Sequence, residues 1–456
     1  NMHIRKNLFA EIKRQKNAIH IVLIGTKPDI IKQAPLILKL KERGHYALVV
    51  HSGQHQDYKL SGGLEEEFGI VPDINLEVSG NLHEQQSQVI LRLGALLKEI
   101  KDLKKQITPY ICADTTTAVA AGIASFANLI STAHVEAGLR TMSPPKDLIL
   151  DLLHDTDTLE YFKSLKVRNW QKGSYEPYPE QFDTRAAGPS AGIHFAPTSL
   201  NANNLTSEGY VKERIFVVGN TVSDALKFIE KEVKTSDIFD KFPQLSNGQL
   251  IRFCIHRREN IISYQRFISI YEAMEELVKE GRRIVFISLP ATETALIKYG
   301  LKERTSRLVK KHKNFFYSQV LPSYADTIAI MKKCIAVATD SGSIQEETNI
   351  LGIPGIVLRF NSDRPEAIFA GGNVLAPPIT KEVVLKVLYG VLDNQKQIEK
   401  MKNAPKLYGS RVSEKIVSVM ERSIEKNSAF NIFEFMEHER LGLDKKRFWR
   451  KGGIEW

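Results

Sequence analysis

Residues 19–24, IHIVLI, form a short apolar run that stops at Gly25, Thr26 and Pro28. Helix-forming sequence follows over 30–43, closes at Gly44, and gives way to a second apolar run at 47–50. An apolar run, a helix and another apolar run at this spacing make a βαβ unit, and such units build parallel sheets. Runs at 109–113, 130–135 and 194–196 extend the series, with a helix predicted over 86–101. The pattern then restarts. Runs at 250–255 and 283–288 flank a helical stretch over 264–280, and runs at 314–317, 335–339 and 355–358 follow. Two successive series predict an α/β protein of two doubly wound, Rossmann-like domains facing a central cleft. The expected organisation is an N-terminal extension (1–18), a first domain (19–225), a second domain (226–400), a helix packing back on the first domain (401–426) and a tail (427–456). The join is placed where 227–240 is charged and 242–248 carries Pro, Ser, Asn and Gly.

With 456 residues, 43% hydrophobic and 25% charged, the chain can bury two cores. Its net charge of +10 favours acidic partners such as phosphorylated metabolites, although a generic basic surface explains it equally well. Lys and Arg are dispersed, with no basic stripe interleaved with aromatics, so nucleic acid is not an expected partner. Cys112, Cys254 and Cys334 lie in strand-like runs without a CxxC pair. Neither a metal site nor a redox pair is expected, and a reducing, cytoplasmic setting is. No apolar run approaches the ~20 residues of a membrane span.

Ligands of doubly wound sheets bind beyond the carboxyl ends of the strands, so the residues following each run are the candidates. After the first run, Gly25 permits a tight turn and Lys27 and Lys32 enter a helix whose N-terminus attracts anions. After the second come Gln54 and His55 beside Gly53. Asp114, followed by three threonines, is open to helix capping and to catalysis alike. Glu136 ends the neighbouring run, and Glu180 is a third carboxylate. Carboxylates sharing a site raise one another's pKa and so acquire acid/base capacity. In the second half, His256 and Arg257 follow a strand and suit a diphosphate. Ser341, Gly342 and Ser343 offer donors at a helix N-terminus. Glu346 or Glu347, one turn on, is placed for ribose hydroxyls, and Arg364 follows the next strand. Phosphate donors in one half and carboxylates in the other describe a nucleotide–sugar cleft.

The stretches GTKPDIIKQAPL (25–36), GQH (53–55), DTTT (114–117), HVEAGLRT (134–141), PEQFDTR (179–185), HFAPT (194–198), GNTVSDAL (219–226), HRREN (256–260), TDSGSIQEE (339–347) and RPEA (364–367) occur in this order. Together they resemble the UDP-N-acetylglucosamine 2-epimerase family, of glycosyltransferase-B architecture. The resemblance implies an isomerase that interconverts UDP-GlcNAc and UDP-ManNAc. UDP leaves by anti elimination and adds back to a bound glycal, without metal or cofactor. It implies catalytic roles for Asp114, Glu136, Glu180 and His256. It implies UDP or substrate contacts for Lys27, Lys32, Gln54, His55, Arg140, Arg185, Arg257, the 341–347 segment and Arg364. A homodimer serving polysaccharide synthesis is also implied. Alternatives are a hydrolysing 2-epimerase that releases ManNAc, a 2-epimerase for a modified UDP-HexNAc, and a sugar transferase of the same architecture. Several positions depart from the family pattern. Lys27 stands for its Arg, Asp29 for Glu, Ala113 for Gly, Ser343 for a second Gly, Gln181 for a carboxylate and Thr184 for Asn. Leu289-Pro290-Ala291 replaces a Pro-x-His associated with allosteric control, which is therefore not expected. Thirty-seven residues separate Thr141 from Pro179, an insertion that reads as a lid or as the mark of another sugar.

Overall fold

The computed structural model describes residues 2–54, 63–154, 156–167, 169–319, 321 and 323–425. His55 and the 427–456 tail lie outside the described residues. In chain order, β1 (His3–Ile4), β2 (Ile19–Ile24), β3 (Tyr46–His51), β4 (Ile74–Asn75), β5 (Ile107–Cys112) and β6 (Thr132–Val135) are followed by β7 (Met142–Ser143), β8 (Gln171–Lys172), β9 (Ala191–Ala196) and β10 (Ile215–Val217). Eight of these form one sheet in the order β1-β4-β3-β2-β5-β6-β9-β10, parallel except for the edge pair β1/β4. The second half contributes β11 (Leu250–Cys254), β12 (Ile284–Ser288), β13 (Phe315–Gln319), β14 (Cys334–Thr339), β15 (Gly355–Val357) and β16 (Asn373–Leu375). They make a parallel sheet in the order β13-β12-β11-β14-β15-β16. The inner strands β2, β5 and β11 are buried throughout, which is why they read as largely apolar runs without regular alternation.

Each sheet winds outward in both directions from a central strand, β2 in the first and β11 in the second. The crevices at these switch points, β2/β5 and β11/β14, are where a doubly wound sheet takes its ligand. They carry Thr26–Lys32 and Asp114 in the first sheet, and His256 and Asp340–Ser343 in the second. The stretch read as an extension supplies edge strand β1 and a helix, Leu8–Arg14, whose Leu8 and Ile12 join the first core. Near the other end, helix Val412–Glu425 returns to the first sheet. Its Glu421 accepts from Arg43 (2.5 Å) and His45 (2.8 Å) beside helix Lys27–Glu42.

The insertion does not form a separate lid. The antiparallel ribbon β7/β8 closes its base, and two short helices, Lys146–Leu150 and Thr158–Ser164, lie within it. Leu152, Tyr161, Phe162, Leu165 and Trp170 are buried in the core of the second domain, not the first. The Tyr161 hydroxyl donates to the Leu375 carbonyl (2.8 Å), and Trp170 meets Phe369 edge-on, ring centroids 5.3 Å apart. Gly390 leaves room for it, because a Cβ there would lie 2.7 Å from Thr158 Oγ1.

Candidate active site

Strand β2 is followed by Gly25, which does not adopt left-handed backbone. It is needed for space, since a Cβ would sit 2.3 Å from Ser52 Oγ and 2.5 Å from Thr117 Oγ1. Thr26 and Asp29 cap the Lys27–Glu42 helix reciprocally. After β5, Thr115 Oγ1 accepts from the Ala118 N–H (3.2 Å) and caps helix Thr116–Ala127. This answers the question about Asp114: the cap belongs to Thr115, and the Asp114 carboxylate lines the cleft. Ala113 (φ 55°) and Glu136 (φ 61°) both take left-handed backbone at successive strand ends. That conformation costs a residue with a Cβ roughly 1–2 kcal/mol, and such strain gathers at functional sites.

Glu180 opens helix Glu180–Ala187 and ion-pairs with Arg257 from the second domain. Asp183, one turn on, accepts from Thr116 Oγ1 (3.1 Å) and lines the same cleft. Burial, helped by Asp114 and Glu180, pushes the Asp183 carboxyl up to about 8. Burial also raises Asp114, with Glu180 adding to the effect and Arg364 opposing it. Asp183 was not among the expected residues. Its signal was the three-residue spacing from Glu180, which puts both carboxylates on one helical face.

In the second domain, Asp340 accepts from the backbone N–H groups of His256 (3.0 Å) and Arg257 (3.0 Å) and from Asn260 (3.0 Å). Its carboxylate also lies 3.2 Å from His256 Nδ1. Burial opposes a charged imidazole, but Asp340 outweighs it and raises His256 to about 10. His256 is thus a cation at neutral pH. Ser341 makes no side-chain cap on helix Gly342–Leu351, so the free first-turn N–H groups remain available to the cleft. Gly342 is where a Cβ would press on Asp363 Oδ2 (2.9 Å). Glu347 accepts from the Tyr324 hydroxyl (2.8 Å), and burial holds its carboxyl above the ordinary range.

These residues enclose one cavity of about 560 Å³. Of the expected site residues, Lys27, Lys32, Gln54, Asp114, Glu180, His256, Arg257, Ser341, Ser343, Glu347 and Arg364 line it. Glu136 lies behind this wall in a buried network that joins the domains. Lys32 pairs with Glu136 and, at 3.3 Å, with Glu346, while Arg364 pairs with Glu136 (2.7 Å) and with Glu346. Burial, and then Glu346, raises Glu136 to about 8. Glu346 stays low because Arg364 and Lys32 outweigh its burial. The structure does not bring Arg140 and Arg185 to the cavity. Arg140 is buried and forked onto Glu208 (2.6 and 2.7 Å), and Arg185 is exposed on the outer side of its helix. Among the described residues no three His, Cys, Asp or Glu side chains group as metal ligands, and no helix is long and apolar enough to cross a membrane.

The sequence model of the UDP-N-acetylglucosamine 2-epimerase family matches residues 38–149 and 171–421, skipping the middle of the insertion. The UDP-N-acetylglucosamine 2-epimerase of Campylobacter jejuni is 30% identical over 88% of this chain and 96% of that protein. The Bacillus subtilis enzyme of the same name is 30% identical over 85% and 91%. A Neisseria meningitidis UDP-GlcNAc 2-epimerase solved with UDP-GlcNAc superposes with a TM-score of 0.73 at 27% identity, covering 89% of this chain and all of that one. One from Methanocaldococcus jannaschii, in complex with UDP-GlcNAc and UDP, also gives 0.73, at 26% identity and 89% and 99% coverage. With carboxylates and phosphate donors meeting in one cleft of this architecture, the chain belongs to the UDP-N-acetylglucosamine 2-epimerase family and is an epimerase.

Proposed function

We propose that the chain interconverts UDP-GlcNAc and UDP-ManNAc by anti elimination of UDP and re-addition through a bound glycal. The C2 proton of the sugar is not acidic, so its removal must be coupled to departure of the diphosphate. That calls for proton acceptors and donors around C2 and for cations on the leaving oxygen. One observation carries the reading: Asp114, Glu180 and Asp183 of the first domain face cationic His256, Arg257 and the Ser341–Ser343 turn of the second across a single cavity. Asp114 and Asp183 hold protons more tightly than ordinary carboxyls and are suited to donate. Glu180, ion-paired with Arg257, is the complementary anion. Glu136 acts from behind through Lys32 and Arg364, both of which reach the cavity.

Incubation with UDP-GlcNAc followed by proton NMR tests the assignment. UDP-ManNAc should accumulate beside UDP-GlcNAc, with both sugars still nucleotide-linked. Free ManNAc and UDP as the main products would overturn the non-hydrolysing course, and an unchanged spectrum would overturn the substrate.

A further inference from the structure

One cation in the cavity has no role in the reaction just described. Arg252 lies in the middle of β11, on the face it shares with Leu250 and Cys254. It is 5% exposed, yet it lines the cavity. Among the described residues its guanidinium has no hydrogen-bond partner, and since Nε and Nη1 are closed off, Nη2 is the nitrogen left to face the cavity. The other buried guanidinium groups here are matched: Arg257 to Glu180 and Asp363, Arg359 to Asp363, and Arg364 to Glu136 and Glu346. A buried charge lacking its partners is costly and is tolerated where a ligand completes it.

The surroundings locate that ligand. Arg252 acts on Lys27, whose pKa burial and then Arg252 depress, and on Glu347. It is absent from the charges that act most strongly on Asp114, which are Arg364, Glu180, Lys32 and Arg257. Arg252 therefore sits beside Lys27 and Glu347 and farther from Asp114. Ile287, Leu289, Leu321 and Ile344 line the cavity and pack in the same apolar cluster as Leu250 and Cys254, on the face of β11 that carries Arg252. A guanidinium N–H among apolar side chains suits a flat heterocycle bearing carbonyl oxygens. If the sugar faces Asp114 and the diphosphate the Ser341–Ser343 turn, the base reaches this guanidinium.

We propose that Arg252 is a specificity-determining residue that donates an Nη2–H to the uracil carbonyl edge, at O4, where cytosine carries an amino group instead. The proposal rests on the UDP-sugar reading. A guanidinium N–H facing an amino group would meet donor with donor, and a site left with an unpaired buried donor rejects the mismatched ligand strongly.

Calorimetric titration of UDP, CDP and inorganic pyrophosphate into wild type, Arg252→Leu and Arg252→Gln, with melting curves of each, is the test. In Arg252→Leu, UDP should bind about tenfold to a hundredfold more weakly, the span expected for lost charge-assisted bonds. Pyrophosphate should bind as in wild type, the preference for UDP over CDP should collapse, and the ligand-free melting temperature should not fall. Arg252→Gln, which keeps a neutral donor, should fall between the two, and the UDP/CDP ratio does not depend on the folded fraction if Arg252→Leu is unstable. An unchanged UDP/CDP ratio in both variants would overturn the proposal, as would equal weakening of pyrophosphate. Wild-type protein that does not bind UDP would overturn the UDP-sugar reading itself.

Discussion

Asp114 shows how one hydrogen bond decides between two roles. Because Thr115 caps the helix, Asp114→Asn should leave the melting temperature unchanged while turnover falls about a hundredfold or more, the usual worth of a positioned acid or base. Equal losses in both would return Asp114 to a structural role. Thr115→Ala, in contrast, should cost about 1 kcal/mol in denaturant unfolding. His256 makes a pH prediction. Its folded pKa of about 10 lies above its ordinary 6.5. The ion pair with Asp340 thus stabilises fully below pH 6.5, and its contribution is lost as pH rises through 10. Melting temperature should decline across that window, and His256→Gln should flatten the decline. Asp114, Glu180 and His256 were legible in the sequence because each follows a strand or opens a helix at the cleft. Arg252 was not, because a cation inside LIRFC looks like an outward-facing strand position. Nor was the fate of Arg140, whose partner Glu208 is 68 residues away and marked by no pattern.

At the scale of elements, the insertion is the main departure from expectation. Its sequence carried no chemical signature because its apolar residues are matched to another domain: Tyr161, Phe162 and Trp170 complete the second core. Its last residues are fixed to the same domain, with Glu176 paired to Arg266 (2.9 Å) and accepting from Asn361 (3.0 Å), and Arg258 over the Tyr178 ring. The insertion is therefore a strap that holds the approach to Glu180 against the second domain. Trp170→Ala should cost about 3–5 kcal/mol, as truncation of a buried aromatic does, and calorimetry should show the loss in the transition that melts the second domain. A loss under 1 kcal/mol would mean that the strap is only loosely packed. The inner strands were legible from largely apolar runs, whereas β1, β4, β10 and β16, each two or three residues long at or beside sheet edges, were too short to register.

Over the whole molecule, two switch points converge on one cavity, and the network of Lys32, Glu136, Glu346 and Arg364 joins the domains behind it. Removing one member of a buried charge network strands the others. Arg364→Met should therefore destabilise by about 3–5 kcal/mol in chemical denaturation, and near-wild-type stability would show that the carboxylates find other partners. Two doubly wound sheets could be read from the repeating series, but this network could not, because it ties Lys32 and Glu136 to partners more than 200 residues further along the chain. The central claim is that proton transfer at C2 takes place between these walls. Its most direct test is incubation with UDP-GlcNAc in D2O and NMR of the recovered nucleotide sugars. The account predicts deuterium at C2 of both epimers at a rate matching their interconversion, with exchange abolished in Asp114→Asn. Interconversion that leaves protium at C2 would contradict it.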